Sequence, residues 1–484
     1  MERGREVPPE PMAGGEPFRV FFRTFGCKAN QYDTERMRQE LEALGAHATD
    51  GAREAHLCVV NTCTVTNQAD ADARRFIRRI QRENPGIRVV VAGCSSALKP
   101  QDYREMDGVV GVVEGHDPVE VARSAVLGLE GGEAPAPLVQ LEVRRALHRI
   151  DHEPVGAELL NRREGGTRGW LKVQDGCDRK CSFCATRLAR GASRSRPPEE
   201  VLAEARLLAR SHPELVITGI HIGHYGRDLP EESTLSGLVA YLLDMLPDVR
   251  LRLGSVEATE VDDLLLELLA TSRGRLAPHL HMPLQSGSDA VLKGMRRWHS
   301  REQYRRRAME IAESLPVLGL GADIITGFPG ETEEDHALTR ALVQELPFTY
   351  LHVFPYSPRD DTVAAALPNP VPQRVSGERS KELRELGLEK GRAYRESRAG
   401  TLARVVLEGQ GGWGLTEDYL RVEVRSPALP LVPGGAAGTL PAPPQGFRSE
   451  ALHDGLLRGD GGHLYIDLSP SSRLIERELS PTTL

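Results

Sequence analysis

Three cysteines fall within eight residues, in Gly176-Cys177-Asp178-Arg179-Lys180-Cys181-Ser182-Phe183-Cys184, at the spacing C-x3-C-x2-C. Three thiolates on one tight loop can hold three irons of a cubane [4Fe–4S] cluster, leaving the fourth iron without a protein ligand. An open coordination position separates a metal centre that does chemistry from one that only braces a fold. A zinc knuckle would want paired C-x2-C motifs and a fourth ligand, and none is near in sequence. A second trio lies far upstream: Cys27 in Phe25-Gly26-Cys27-Lys28-Ala29-Asn30, Cys63 in Asn61-Thr62-Cys63-Thr64-Val65-Thr66, and Cys94 in Ala92-Gly93-Cys94-Ser95-Ser96. Each sits just past a predicted strand, so all three can meet at one edge of a parallel sheet, where open α/β sheets place ligands. Three converging thiols again imply a cluster with one exchangeable iron. Cys58, inside the predicted strand 56–61, reads as an apolar core residue.

The elements that must position these thiols are legible as an α/β pattern. Residues 18–24, 56–61 and 87–92 read as strands, and 32–44 and 68–82 as helices, of a small α/β domain spanning 17–127. Residues 1–16 read as a disordered tail and 128–162 as a linker, beginning with the Gly/Pro-rich 128–137. A core over 163–396 holds strand candidates at 170–173, 215–218, 249–253, 280–282, 321–326 and 350–354. Helical segments at 198–210, 235–246, 261–270, 301–314 and 332–345 lie between them, predicting a partial TIM-like (β/α)6 barrel with active residues at the strand C-terminal ends. Residues 397–470 predict a small β-barrel, with strands at 402–408, 419–424 and 463–468, a Pro/Gly-rich insertion at 426–445, and a tail at 471–484.

Composition fits this reading. The 484 residues are 40% hydrophobic and 27% charged, an ordinary globular balance. Seven cysteines are too few, and too odd in number, for a disulfide scaffold. No stretch approaches the roughly 18 apolar residues of a membrane span, and the N-terminus lacks the apolar core of a signal peptide. A cytoplasmic protein, without a membrane partner, is expected.

The C-x3-C-x2-C loop resembles the signature of the radical S-adenosylmethionine (SAM) superfamily. That resemblance implies that SAM chelates the open iron through its amino and carboxylate groups. An electron from an external flavodoxin- or ferredoxin-type donor would then cleave it to methionine and a 5′-deoxyadenosyl radical. It further implies that Phe183 packs on the SAM adenine and that Thr218-Gly219 grips the amino group. Ser255 and Glu257 match the ribose-binding motif, while Gln285-Ser286-Gly287 and Thr326-Gly327-Phe328-Pro329-Gly330 match cofactor-facing loops. Three cysteines ahead of such a core, with a β-barrel after it, resemble the methylthiotransferase family over about residues 17–470. Membership implies two [4Fe–4S] clusters, the second handling sulfur, and insertion of a methylthio group at an unactivated carbon. Asn61–Asn67, Ile217–His221 with Gly226, and His352–Ser357 look like the branch acting at carbon 2 of N6-threonylcarbamoyladenosine beside the anticodon of tRNA (position 37). Sibling branches act on isopentenyladenosine in tRNA or on a ribosomal-protein aspartate. A non-catalytic, zinc-bearing RNA-binding protein is the alternative from another class.

An RNA partner must be reconciled with a net charge of −8. Three basic runs offer themselves: Arg74, Arg75, Arg78, Arg79 and Arg82 along one helix face; Arg187, Arg190, Arg194 and Arg196; and Lys293 through Arg307, including Arg297. Arg74, Arg78, Arg190 and Arg297 are the candidate RNA contacts. The terminal barrel resembles a TRAM domain through Gly414–Val422, yet residues 400–470 carry five Arg, no Lys and eight Asp/Glu. Ala185-Thr186-Arg187-Leu188 departs from the two Ile and a Pro of many bacterial relatives. A monomer is expected.

Overall fold

The computed structural model describes residues 18–130, 159–231, 233–408, 412–425, 451–460 and 463–468. The 426–445 insertion, most of the 128–162 linker and both tails lie outside the described residues.

The N-terminal domain is built on five parallel strands in the order His47–Ala48, Arg19–Thr24, Leu57–Thr62, Arg88–Gly93, Val109–Val112. Leu57–Thr62 is buried on both faces, as a central strand of a doubly covered sheet must be. Its alternate residues divide between two cores: Leu57 and Val59 pack with Met37 and Leu41 of the helix Lys28–Ala43, and Cys58 and Val60 with Phe76, Ile77 and Ile80 of the helix Asn67–Glu83. Cys58 is therefore a packing residue within this central strand. The helix Pro118–Glu130 closes this domain a little beyond the expected limit.

The core carries the six anticipated parallel strands. Arg250–Leu253, Glu214–Thr218 and Arg168–Lys172 form one set; His279–His281, Gly319–Thr326 and Tyr350–Pro355 form the other. Parallel bridges Leu251–Leu276 and Ser255–His281 join the two sets into one curved sheet. Register separates its faces. Leu171, Leu215, Ile217, Leu251, Leu280 and Leu320 join the apolar core, whereas the opposite face carries Arg168, Lys172, Glu214, Arg252, His281, Asp323, Tyr350 and His352. The concave face is thus polar, which is how a lumen differs from a packed core. His352 is 53% exposed there and Phe354 43%. These side chains line open space.

Two elements were not anticipated. The helix Gln373–Arg398 buries Ser376, Arg379, Ser380, Leu383, Gly387 and Arg398, a face with almost no apolar period to read. The terminal barrel closes with five strands instead of three, adding Trp413–Thr416 and Leu452–Asp460 to Leu402–Glu408, Arg421–Arg425 and His463–Leu468. It stands on the floor of the core sheet. Arg250 donates to the Arg404 and Leu415 carbonyls at 2.7 and 3.3 Å, and Arg252 to those of Thr416 and Glu417 at 2.9 Å each. Arg398 grips Asp418 at 2.7 Å and Glu417 at 3.0 Å. Several acids of the barrel are therefore spent on cations from the rest of the chain, so its acidic composition is not a property of its outer surface.

The N-terminal domain is clamped to the core by Arg359, which donates to Asp70 at 2.6 Å and Thr64 at 2.5 Å, both ionic side chains being 3% exposed. Removing one partner of such a pair leaves a buried charge uncompensated, a cost of about 3–5 kcal/mol. Arg359→Met is expected to lower the thermal midpoint of unfolding, and Arg359→Met with Asp70→Leu to recover most of the loss; calorimetry on both variants checks this.

Candidate functional site

Cys27, Cys63 and Cys94 follow three adjacent strands at their C-terminal ends. Cys27 caps the helix Lys28–Ala43, Cys63 directly follows Leu57–Thr62, and Cys94 opens the helix Cys94–Leu98 straight after Arg88–Gly93. Two glycines permit this convergence. Gly26 has φ +102°, and a Cβ there would lie 2.7 Å from the Cys63 sulfur; Gly93 has φ +107°, with the Thr62 backbone at 2.4 Å from any added Cβ. The chain can be drawn this tight only where side chains are absent.

Cys177, Cys181 and Cys184 lie on the loop between Gln174–Asp175 and the helix Thr186–Arg190. That helix packs directly against Cys94–Leu98. Packed helices ordinarily lie about 8–10 Å apart, so the two trios stand on opposite sides of a single helix contact. All seven cysteines are free thiols. Burial pushes Cys63 up to about 11, and Cys94 and Cys177 up to about 12. Thiols in such surroundings stay protonated at neutral pH unless a metal displaces the proton. Donors are already aimed at them. Val65 N–H lies 3.4 Å from the Cys63 sulfur, Thr186 N–H 3.4 Å from that of Cys184, and the Arg297 guanidinium 3.6 Å from that of Cys181. N–H···S bonds of this kind tune cluster thiolates. The donor set fits iron–sulfur clusters.

Beneath the helix contact runs a buried ionic network. Arg190 meets Asp33 at 2.7 Å, Asp175 at 2.9 Å and the Asn30 side-chain oxygen at 2.6 Å, while Lys172 meets Asp33 at 2.7 Å and Asp175 at 2.6 Å. Asp33 and Asp175 are held below the usual carboxylate range because Lys172 and Arg190 overcome the burial that opposes them. The Cys94 sulfur touches His116 Nε2 at 3.3 Å and Asn30 at 3.7 Å; burial depresses His116 to about 3, so it stays neutral. The partners from the N-terminal domain did not announce themselves in the sequence, because Asp33 lies 139 residues from Lys172 and 157 from Arg190, and Asn30 lies 160 from Arg190.

This overturns part of the expected RNA surface. Arg190 is 1% exposed, with both terminal nitrogens held by Asp33, Asp175 and Asn30, so it offers nothing to a phosphate. Arg297 is 4% exposed, paired with Glu257 at 2.5 Å and directed at Cys181. Arg196 is equally enclosed, against Glu204. Charge runs that look alike in sequence divide here between ion-pairing interior and solvated exterior. Arg78 remains on the surface, and Arg74 is half-exposed with Asp102 at 3.4 Å.

The expected SAM-facing residues gather along the strand ends above the lumen. Thr218 ends the strand Glu214–Thr218 and Gly219 follows it; Ser255 follows Arg250–Leu253 and bonds His281 Nδ1 at 2.8 Å; Glu257 is buried beside Arg297. Gln285 takes a left-handed φ of +69° and Gly327 of +74°, each just beyond a strand. Phe183 leans on the apolar cluster of Val291, Met295 and Phe328. Beside Cys177 lies a group that sequence reasoning missed: His221 Nδ1 at 3.6 Å from its sulfur, stacked on His224 at 4.0 Å, with Glu260 accepting from His221 at 2.9 Å. Arg179 joins Glu260 at 3.2 Å and covers the Trp298 ring at 3.9 Å.

The comparisons with known proteins agree with this architecture. Residues 19–115 match the family described as "Uncharacterized protein family UPF0004" and residues 171–343 the "Radical SAM superfamily". A solved structure of the radical S-adenosylmethionine methyltransferase TsrM from Kitasatospora setae, with cobalamin and a [4Fe–4S] cluster bound, has a TM-score of 0.52 at 17% identity. It covers 72% of this chain and 77% of that one, a likeness of fold alone. The core is thus of the radical SAM class. Relatives named threonylcarbamoyladenosine tRNA methylthiotransferase MtaB are 34% identical in Rickettsia prowazekii, over 83% of this chain and 90% of that protein, and 36% identical in Bacillus subtilis, over 80% and 84%. A tRNA-2-methylthio-N(6)-dimethylallyladenosine synthase of Bacillus licheniformis is 33% identical over 82% of this chain and 77% of its own length. This chain belongs to the radical SAM methylthiotransferase family. No described helix is long and apolar enough to cross a membrane.

Cys27 and Cys184 are the exposed thiols of their trios, and Cys58 is fully buried. In metal-free protein, iodoacetamide is expected to label Cys27 and Cys184 first and Cys58 last, read by peptide mass spectrometry; early labelling of Cys58 would contradict this packing.

Proposed function

We propose that the protein is a tRNA methylthiotransferase acting at carbon 2 of N6-threonylcarbamoyladenosine next to the anticodon, in the cytoplasm, as a monomer. The observation that carries this reading is the pair of cysteine trios mounted on either side of one helix contact. Cys177, Cys181 and Cys184 would hold the cluster that binds SAM, and Cys27, Cys63 and Cys94 the second [4Fe–4S] cluster. When bound, these groups supply reductive cleavage of SAM to an organic radical and a sulfur to transfer, with electrons from a flavodoxin- or ferredoxin-type donor.

The residues of the chain orient and insulate that chemistry. Glu257, fixed by Arg297, is placed to accept from a ribose diol, with Ser255 beyond the same strand; Thr218, Gly219, Gln285 and Gly327 stand at the neighbouring strand ends, and Phe183 offers an aromatic face. The Asp33–Lys172–Asp175–Arg190 network, itself almost wholly buried, sets the spacing of the trios. Arg74 and Arg78 present positive charge outside, where a phosphate can reach it. The threonylcarbamoyl substrate is supported by the relatives so named, which are matched over more of their own length than the dimethylallyladenosine enzymes. The dimethylallyl reading stands second on the same comparison.

Anaerobically reconstituted protein is expected to bind about eight iron and eight sulfide per chain, and Cys63→Ala about four of each. Four of each in the unaltered protein would remove the second cluster. Deleting the gene should abolish 2-methylthio-N6-threonylcarbamoyladenosine in digested tRNA, as read by nucleoside mass spectrometry; its persistence would refute the substrate. Arg78→Glu should weaken tRNA binding several-fold and flatten its salt dependence, with iron content unchanged.

A further inference from the structure

Among the described residues, one cation of the lumen is left without a partner. Around its floor, Arg168, Arg250 and Arg252 converge on Glu214, Arg168 also meets Glu408 at 2.7 Å, and Arg398 takes Glu417 and Asp418. With Lys28, and with Arg163 on the Trp170 ring, this makes six cations against four carboxylates. Arg163 donates to the Arg168 carbonyl at 2.9 Å and every other arginine of the group has a carboxylate partner; the Lys28 ammonium makes no hydrogen bond or ion pair among the described residues. It is also not sealed in, being only half-buried.

Its surroundings hold it loosely. The Lys28 ammonium lies 5.9 Å from the Trp170 ring and 5.9 Å from the Tyr419 ring, at the outer limit of a cation–π contact. Trp170 is already covered by Arg163 at 4.0 Å. Packing alone does not explain an ammonium there. Lys28 is the first residue of a 16-residue helix, whose dipole adds to the local positive potential. It directly follows Cys27, so a group bound to it lies beside the sulfur-handling trio. All three domains meet at this point: Lys28 from the first, Trp170 from the core, Tyr419 from the terminal barrel.

We propose that Lys28 binds the carboxylate of the substrate's N6 side chain and so selects an acidic modification over a neutral hydrocarbon one. This rests on the threonylcarbamoyladenosine reading above and deepens it. A threonylcarbamoyl group ends in a carboxylate; a dimethylallyl group offers nothing to an ammonium and would leave the cation desolvated and unpaired, which disfavours it.

The test uses reconstituted holoenzyme and three anticodon stem-loops, bearing threonylcarbamoyladenosine, its neutral methylamide, or dimethylallyladenosine. The unaltered enzyme is expected to favour the acid over the methylamide by about 100-fold in kcat/KM, mostly through KM, the size of one charge-assisted hydrogen bond. Lys28→Met should collapse that ratio towards one and Lys28→Arg should restore most of it; equilibrium binding of the stem-loops should show the same ordering. An unchanged acid-to-amide ratio in Lys28→Met overturns the role of Lys28 while leaving the substrate intact. Should Lys28→Met fail to assemble, the unaltered enzyme decides alone, since indifference between acid and amide overturns the proposal. Turnover of the dimethylallyl stem-loop and not of the acid overturns both readings together.

Discussion

The structure depends on burying four charges at once. Asp33 belongs to the N-terminal domain and Lys172, Asp175 and Arg190 to the core, and all four are almost wholly removed from water. Such charges are tolerable only when paired and hydrogen-bonded. Neither domain satisfies them alone: Asp33 needs Lys172 and Arg190, and Arg190 needs Asn30 as well as Asp175. Hydrophobic contact would let two domains slide; a network with defined donors and acceptors fixes one register. Because Arg190 lies six residues after Cys184 and Asn30 three after Cys27, that register is also the register of the two cysteine trios.

What could be read in advance followed from periodicity and local spacing. The six core strands and the strands preceding Cys27, Cys63 and Cys94 are apolar runs bounded by turns, and such signals survive in a single sequence. The cysteine loop carried its chemistry in its spacing. Gln373–Arg398 escaped because its inward face is made of serine, glycine and arginine, so the usual apolar stripe is missing. Leu452–Asp460 escaped because glycines and charges interrupt it, and its partners lie across the long insertion.

The arginines teach a sharper lesson. Arg78 and Arg190 belong to similar basic runs, yet one faces solvent and the other sits at the centre of the molecule. No local property separates them. Of the deciding partners, Asp33 is 157 residues from Arg190 and Asp175, 15 residues ahead of it, lies outside the run; a run without acids inside it invites the surface reading when its acids come from elsewhere. The same long-range pairing explains the terminal barrel, whose acidic composition is answered by Arg168 and Arg398.

The way Arg250 and Arg252 seize carbonyl groups of the terminal barrel has a further meaning. Because main-chain oxygens are the acceptors, the seal does not depend on which side chains the barrel displays, and its outer surface is free to drift in sequence. With that end of the lumen corked, reactants and spent products share whatever doorway remains among the cysteine loops. A bound RNA would then act as the door itself, and small molecules would have to be aboard before it shuts.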